Sequence, residues 1–180
     1  MPDFTQDWFS RAIPVWRELV LPRLPAGRRR WLELGSYEGR SALWTLDNAM
    51  RDGDELVCVD YWPDAAVEAR FDENVGKRTT KWKGLCVDYL LHAVQRGEHC
   101  DVVYIDADHE AAACIEQAVL AWRLLGPGGI LIFDDYSWTH PHGSVGKLDP
   151  RAGVDAFIQC YQARLAVLHL HVQAVIEKRR

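Results

Sequence analysis

The sequence predicts an α/β fold: a doubly wound, mostly parallel sheet with helices on both faces. Two observations predict it. Short apolar runs bounded by turn residues alternate with stretches of helical periodicity five times along the 180 residues, the pattern of βαβ units. Those runs also end on a glycine or an acid, at Gly35, Asp60, Asp106 and Asp134-Asp135. In sheets of this kind ligands bind just beyond the carboxyl ends of the strands.

Residues 7–21 carry Trp8, Phe9, Ile13, Trp16, Leu19 and Val20 at helical spacing, and Pro22 and Pro25 end the segment. Residues 31–35 read as a short buried strand closed by glycine, and 38–51 as a helix. Residues 55–60 form a second strand ending on an acid, followed by a helix over 64–76. A less regular strand spans 82–87, with a helix over about 88–97. Residues 101–106 are a strand that again ends on an acid. The helix over 109–125 is stopped by Gly126-Pro127-Gly128-Gly129. Residues 130–135 give a fifth strand with two terminal acids, and 137–149 a loop. Asp149-Pro150 suits an N-cap followed by proline at the first helical position, with the helix reaching about Ala163. The tail, residues 165–178, is rich in Val, Ile and Leu and reads as one or two strands, with a turn near Val172 if two.

The length favours one domain with one core, residues 1–180, in which 1–25 form an N-terminal helical cap. A net charge of −5 gives no pull towards nucleic acid or an anionic membrane. The basic cluster Arg28 to Arg30 reads as a solvated lead-in to a strand. The five cysteines are an odd set with no Cys-x-x-Cys pair, so neither a disulfide framework nor a zinc knuckle is expected. The N-terminal residues lack a basic start and an apolar core, and no run approaches the roughly 18 apolar residues of a membrane span. The expectation is a cytoplasmic, reduced protein with a small-molecule substrate and no nucleic-acid or membrane partner; a homodimer stays open.

Glu33-Leu34-Gly35-Ser36-Tyr37-Glu38-Gly39-Arg40-Ser41 holds the first motif. Gly35 at the strand end allows a tight turn close to a ligand, and Gly39 lets the helix start near it, where exposed amides favour an anion. The spacing is G-x-x-x-G. The dinucleotide fingerprint G-x-G-x-x-G uses its middle glycine to admit a pyrophosphate, which Ser36 or Tyr37 would crowd here. Asp60, about twenty residues on at the next strand end, can accept both hydroxyls of a ribose. A glycine turn and a ribose acid without a phosphate cradle point to an adenosine that carries an amino acid. Glycines at strand-turn-helix junctions also occur in many α/β folds, and Asp60 could be an exposed turn acid.

These residues resemble the S-adenosylmethionine motif of class I methyltransferases, in the version of the catechol and caffeoyl-CoA O-methyltransferases. Residues 101–136, from Asp-Val-Val-Tyr-Ile-Asp-Ala-Asp-His to Gly-Pro-Gly-Gly-Ile-Leu-Ile-Phe-Asp-Asp-Tyr, are similar to small bacterial methyltransferases related to them, as is the opening Asp7-Trp8-Phe9-Ser10. The resemblance implies a Rossmann-like sheet of seven strands, the last two short because only residues 164–180 remain for them. It implies that Gly35 and Gly39 face the methionine part of the cofactor, that Tyr37 and Ser41 hold its carboxylate and amino group, and that Glu33 and Ser36 belong to the same binding loop. Asp60 would bind the ribose, and Asp88 would lie near the adenine, with Tyr61 and Trp62 stacking on it or packing under the helix.

In the resemblance, the strands ending on Asp106 and on Asp134-Asp135 are neighbours, so their ends lie about 5 Å apart. Three carboxylates that close raise one another's pKa unless a cation neutralises them. A hard divalent ion fits, Mg²⁺ first and Mn²⁺ or Ca²⁺ next. The catechol-type enzymes hold Mg²⁺ with Asp, Asp and Asn at these positions; here Asp135 replaces the Asn. The acids could instead bind substrate hydroxyls directly. A cation beside a hydroxyl lowers its pKa and positions it for in-line attack on the methyl group. His109, where the resemblance places the catalytic base, could take the proton, or could cap the helix or orient Asp106; Asp106 also borders the cofactor. Asp108 is an alternative N-cap. Trp138, His140 and His142 lie on a loop that could shape the substrate pocket. Trp8 and Phe9 read as core or as a closure over the cleft, Trp16 and Trp31 as core, and His169 and His171 as one exposed face. A metal-assisted O-methyltransferase is the leading reading. A metal-independent methyltransferase, a non-catalytic S-adenosylmethionine-binding protein and a nicotinamide dehydrogenase are the alternatives, the last disfavoured by the missing G-x-G.

Overall fold

The computed structural model describes residues 2–141 and 146–179. Seven strands form one sheet in the order β3-β2-β1-β4-β5-β7-β6. β1 (Arg30–Leu34), β2 (Glu55–Asp60), β3 (Thr80–Lys83), β4 (Cys100–Ile105) and β5 (Leu125–Phe133) are parallel. β6 (Leu165–Leu170) and β7 (Ala174–Lys178) form a hairpin, and β7 runs antiparallel to both β5 and β6. The tail is therefore two short strands, turning at residues 171–173. α2 (Arg40–Asn48), α3 (Ala65–Val75), α4 (Cys86–Gln95), α5 (Ala111–Leu124) and α6 (Pro150–Tyr161) supply the connections.

Side-chain alternation divides the core in two. Leu32, Leu34, Val57, Val59, Val103, Ile105, Leu131 and Phe133 face α4, α5 and α6. Trp31, Leu56, Cys58, Val102, Tyr104, Ile130 and Ile132 face the N-terminal segment, α2 and α3. Burial on both faces is why the parallel strands read as unbroken apolar runs. β1 sits between β2 and β4, so the chain leaves it on opposite sides and a crevice opens at the carboxyl ends.

The N-terminal helical region starts later than expected and is irregular. A 3-10 turn at Ser10–Ala12 leads into α1 (Ile13–Val15), a π-helical stretch at Trp16–Val20 and a second 3-10 turn at Leu21–Arg23. Asp7 begins it from outside, accepting from the Ser10 amide at 2.9 Å. Its centre is Trp16, fully buried against Phe9, Trp31, Trp44 and Tyr104.

β3 ends at Lys83, and the apolar run that suggested a strand to residue 87 is the start of α4 instead; three apolar residues cannot distinguish the two. Asp149 stands at the N-cap position with Pro150 following, but its carboxylate accepts from the His140 amide at 2.7 Å and not from the helix. Among the described residues no helix is long and apolar enough to cross a membrane.

α5 and α6 meet at Gly153. A Cβ there would lie 2.1 Å from the Ala111 carbonyl oxygen. Gly153→Ala gains about 1 kcal/mol of helix propensity but forces the helices apart at roughly 1–3 kcal/mol. Urea denaturation should show a net loss of stability; a neutral or more stable variant would contradict the close approach.

Candidate active site

A cleft of about 870 Å³ lies at the carboxyl ends of β1, β2 and β4 and beside the two acids after β5. Gly35 forms one wall with φ at +84°, and a Cβ on it would sit 1.9 Å from the carbonyl oxygen of Asp106. Only glycine lets the turn after β1 approach the end of β4 so closely. Gly39 answers a different need. Its missing side chain makes room for α3, since a Cβ would lie 2.4 Å from Cγ2 of Val75. Gly39 is not among the residues that line the cleft.

Tyr37 and Trp62 both hold positive φ, at 46° and 38°, which non-glycine residues seldom adopt. One carboxylate secures both. Asp60 accepts from the Tyr37 amide at 2.8 Å and from the Trp62 amide at 2.9 Å. The Trp62 indole N–H in turn donates to the Tyr37 carbonyl at 2.8 Å. Each Asp60 oxygen keeps a lone pair for the cleft. Tyr61 and Trp62 part company. Tyr61 stands exposed at the cleft, while Trp62 is buried against Phe71 with Lys81 over its ring.

Glu33, Ser36 and Ser41 are buried, and none of them lines the cleft. The Ser41 hydroxyl, expected to help hold the cofactor's carboxylate and amino group, donates to Glu33 at 3.0 Å. Burial pushes the Glu33 carboxyl up to about 8. Asp88 is exposed on the first turn of α4 and outside the cleft lining; the preceding Leu85, Cys86 and Val87 form that wall.

Asp106, Asp134 and Asp135 converge as expected, and each has acquired protein partners. Burial, then the charges of Asp134 and Asp135, push Asp106 well above the usual carboxylate range, and the Tyr104 hydroxyl donates to it at 3.0 Å. Burial and Asp135 also raise Asp134, which accepts from the Gln173 side-chain amide and lies 3.4 Å from Arg11. Asp135 bonds Nε2 of His109 at 2.7 Å, and that bond raises the imidazole pKa. Arg11 reaches Asp135 as well, at 3.5 Å.

Ligand atoms of Asp106, His109 and Asp135 lie within 4.8 Å of one another. Carboxylate oxygens and an imidazole nitrogen at that spacing fit a hard divalent cation. His109 thus joins a set expected to hold Asp134. The Trp138 ring leans on His109, with centroids 4.9 Å apart, and His140 packs on Trp138. His142 lies outside the described residues. Asp108 accepts from the Glu110 amide, so it shapes the turn before α5 and does not cap the helix. Trp8 lies over Tyr37 at the cleft, whereas Phe9 is core. Arg11 and Gln173 were not singled out from the sequence. Gln173 is one of several polar residues in the tail, and nothing in the sequence sets it apart.

A family model described as a methyltransferase domain matches residues 32–136. The chain belongs to that family, the class I, S-adenosylmethionine-dependent methyltransferases that its motifs resemble. No curated protein matches the sequence. Among solved structures, it resembles the O-methyltransferase from Bacillus cereus in complex with S-adenosylhomocysteine (SAH), with 20% identity, a TM-score of 0.72 and coverage of 97% of this chain and 84% of that one. TomG, an O-methyltransferase from Streptomyces achromogenes involved in tomaymycin synthesis and bound to S-adenosylmethionine, gives 18%, 0.65, 98% and 92%. MycE from the mycinamycin biosynthetic pathway, in complex with Mg, SAH and mycinamycin VI, gives 19%, 0.67, 99% and 51%. Identities this low show a common fold.

Glu33 makes a testable mark on stability. Its folded pKa of about 8 exceeds the ordinary 4.5. Its contribution is fully present below the ordinary value and is lost as pH rises through the folded one. Glu33→Gln should flatten the fall in stability between pH 5 and pH 8 and be more stable than wild type at pH 8 by roughly 2 kcal/mol or more in urea denaturation. Parallel curves for the two proteins would contradict the burial of an ionisable carboxyl.

Proposed function

We propose that this enzyme transfers the methyl group of S-adenosylmethionine to a hydroxyl of a small molecule, next to a divalent cation. One observation carries the reading: a cofactor-type wall of Gly35, Tyr37, Asp60 and Tyr61 and an acid–imidazole cluster of Asp106, His109 and Asp135 share one cleft. In this reading Gly35 and Tyr37 face the methionine part and Asp60 takes the ribose hydroxyls. Glu33, Ser36 and Ser41 support the loop from beneath. Residues 1–25 cap a single domain.

Asp106 and Asp135 would hold the cation, Mg²⁺ before Mn²⁺ or Ca²⁺, with Asp134 beside them and His109 kept for the proton. When bound, the cation lowers the pKa of the acceptor hydroxyl and offsets the crowded carboxylates. Asp135 fixes His109 through Nε2, leaving Nδ1 to accept the hydroxyl proton as the oxygen attacks the methyl carbon in line and the sulfonium leaves as a neutral thioether. The Trp138 ring packs against the imidazole. The bound Mg and SAH named for MycE support the reading.

A second reading, methyl transfer without metal, is favoured by Arg11, whose guanidinium already sits between Asp134 and Asp135. Methyl release from labelled S-adenosylmethionine across phenols and sugars, with and without chelator, separates the two. The metal reading predicts that chelator abolishes transfer, that Mg²⁺ restores it, and that Asp106→Asn lowers the restored rate on the order of 100-fold. Chelator-resistant transfer would establish the second reading. Transfer to amines and to no hydroxyl would overturn both.

A further inference from the structure

Gln117 on α5 is 3% exposed, and its Oε1 has no hydrogen-bond partner among the described residues. A buried carbonyl left unpaired costs more than an apolar side chain of the same shape would. Such groups are scarce in native proteins and call for a partner. Gln117 also lines the cleft.

Its position along the cleft follows from the faces of α5. Trp122 packs on Phe157 and Tyr161 of α6, and Cys114 shares a small cavity with Pro150 and Val154 of the same helix. Gln117 is five residues from Trp122, about 140° round the helix. With Ala113 and Glu116, at helical spacing, it forms a second stripe turned away from α6 and towards the start of α4. Leu85, Cys86 and Val87 at the start of α4, with Asp60 and Tyr61 after β2, line the same cleft. Tyr61 and Leu85 are both exposed large apolar side chains, so the cleft offers apolar cover for a flat group with one polar edge left to satisfy.

Adenine has such an edge, an amine donor beside a ring-nitrogen acceptor. A glutamine amide offers the matching acceptor and donor, the pairing by which glutamine reads adenine elsewhere. We propose that Gln117 reads the nucleobase of the cofactor, its Oε1 accepting from the exocyclic amine and its Nε2 donating to the adjacent ring nitrogen. The proposal rests on the reading that S-adenosylmethionine occupies this cleft. It makes Gln117 a specificity residue for the cofactor, remote from the transferred methyl group and from the acid cluster.

Calorimetry with SAH and with its analogue lacking the 6-amine tests it. Wild type should bind SAH on the order of tenfold more tightly than the analogue, because the analogue leaves Oε1 unpaired. Gln117→Met, close in volume but without the amide, should bind both alike, at the wild-type affinity for the analogue. Its ligand-free melting temperature should be equal to or above that of wild type, since the unpaired carbonyl is gone. Gln117→Glu keeps an acceptor and should keep the preference, which guards against a Met variant that fails to fold. If the Met variant folds and retains the wild-type preference, or if Gln117→Glu loses it, Gln117 does not read the base. Binding of neither ligand by wild type would instead overturn the reading of the cleft itself.

Discussion

Between the ends of β1 and β4 the backbone leaves no room for a side chain. A Cβ on Gly35 would meet the Asp106 carbonyl oxygen at 1.9 Å and the Cα of Ala107 at 2.8 Å. That contact draws the turn after β1 onto the start of the β4–α5 loop, and the cleft is built around it. On one side the turn carries Tyr37 at positive φ, held to Asp60 on β2. On the other, Asp106 emerges beside Asp134 and Asp135. The Tyr37–Asp60 wall and the acid cluster are thus neighbours because two strand ends touch.

The acids at the other end of the cleft set an electrostatic problem that the N-terminal segment and the final hairpin help to solve. Trp16 donates from its indole nitrogen to Gln173 at 2.9 Å, and Gln173 donates onward to Asp134. The aromatic core of one face of the sheet is therefore wired to the site. Arg11, one helical region away, bridges Asp134 and Asp135. Burial, and after it the crowded carboxylates, still raise Asp106 and Asp134, and a second positive charge would lower them. The same segment lays Trp8 over Tyr37, so its residues touch both halves of the cleft.

Much of this was legible from local pattern. Strands buried on both faces announce themselves as apolar runs, and their terminal residues, Gly35, Asp60, Asp106 and Asp134-Asp135, fall where the sheet opens. What pattern could not give was partnership across the chain. Arg11 reaches Asp134 over 123 positions and Gln173 reaches it over 39. Gly39 serves Val75, and Ser41 serves Glu33 beneath the loop, and no spacing rule distinguishes those duties from ligand contact. Gln117 sits in a helix whose other buried residues are apolar or small, and its unpaired oxygen is visible only once the cleft exists. The third strand ends earlier than its apolar run suggests, because Leu85-Cys86-Val87 leads into α4 and is apolar where it lines the cleft.

The central claim is that the crevice made by the Gly35–Asp106 contact is the cofactor site, laid out from β2 to β5. A crystal structure of the complex with SAH measures this directly. The account predicts the homocysteine part over Gly35 and Tyr37, the ribose on Asp60, the base between Tyr61 and Leu85, and the sulfur directed at Asp106 and His109. SAH bound anywhere else, or reversed so that its base lay against Asp134 and Asp135, would contradict it.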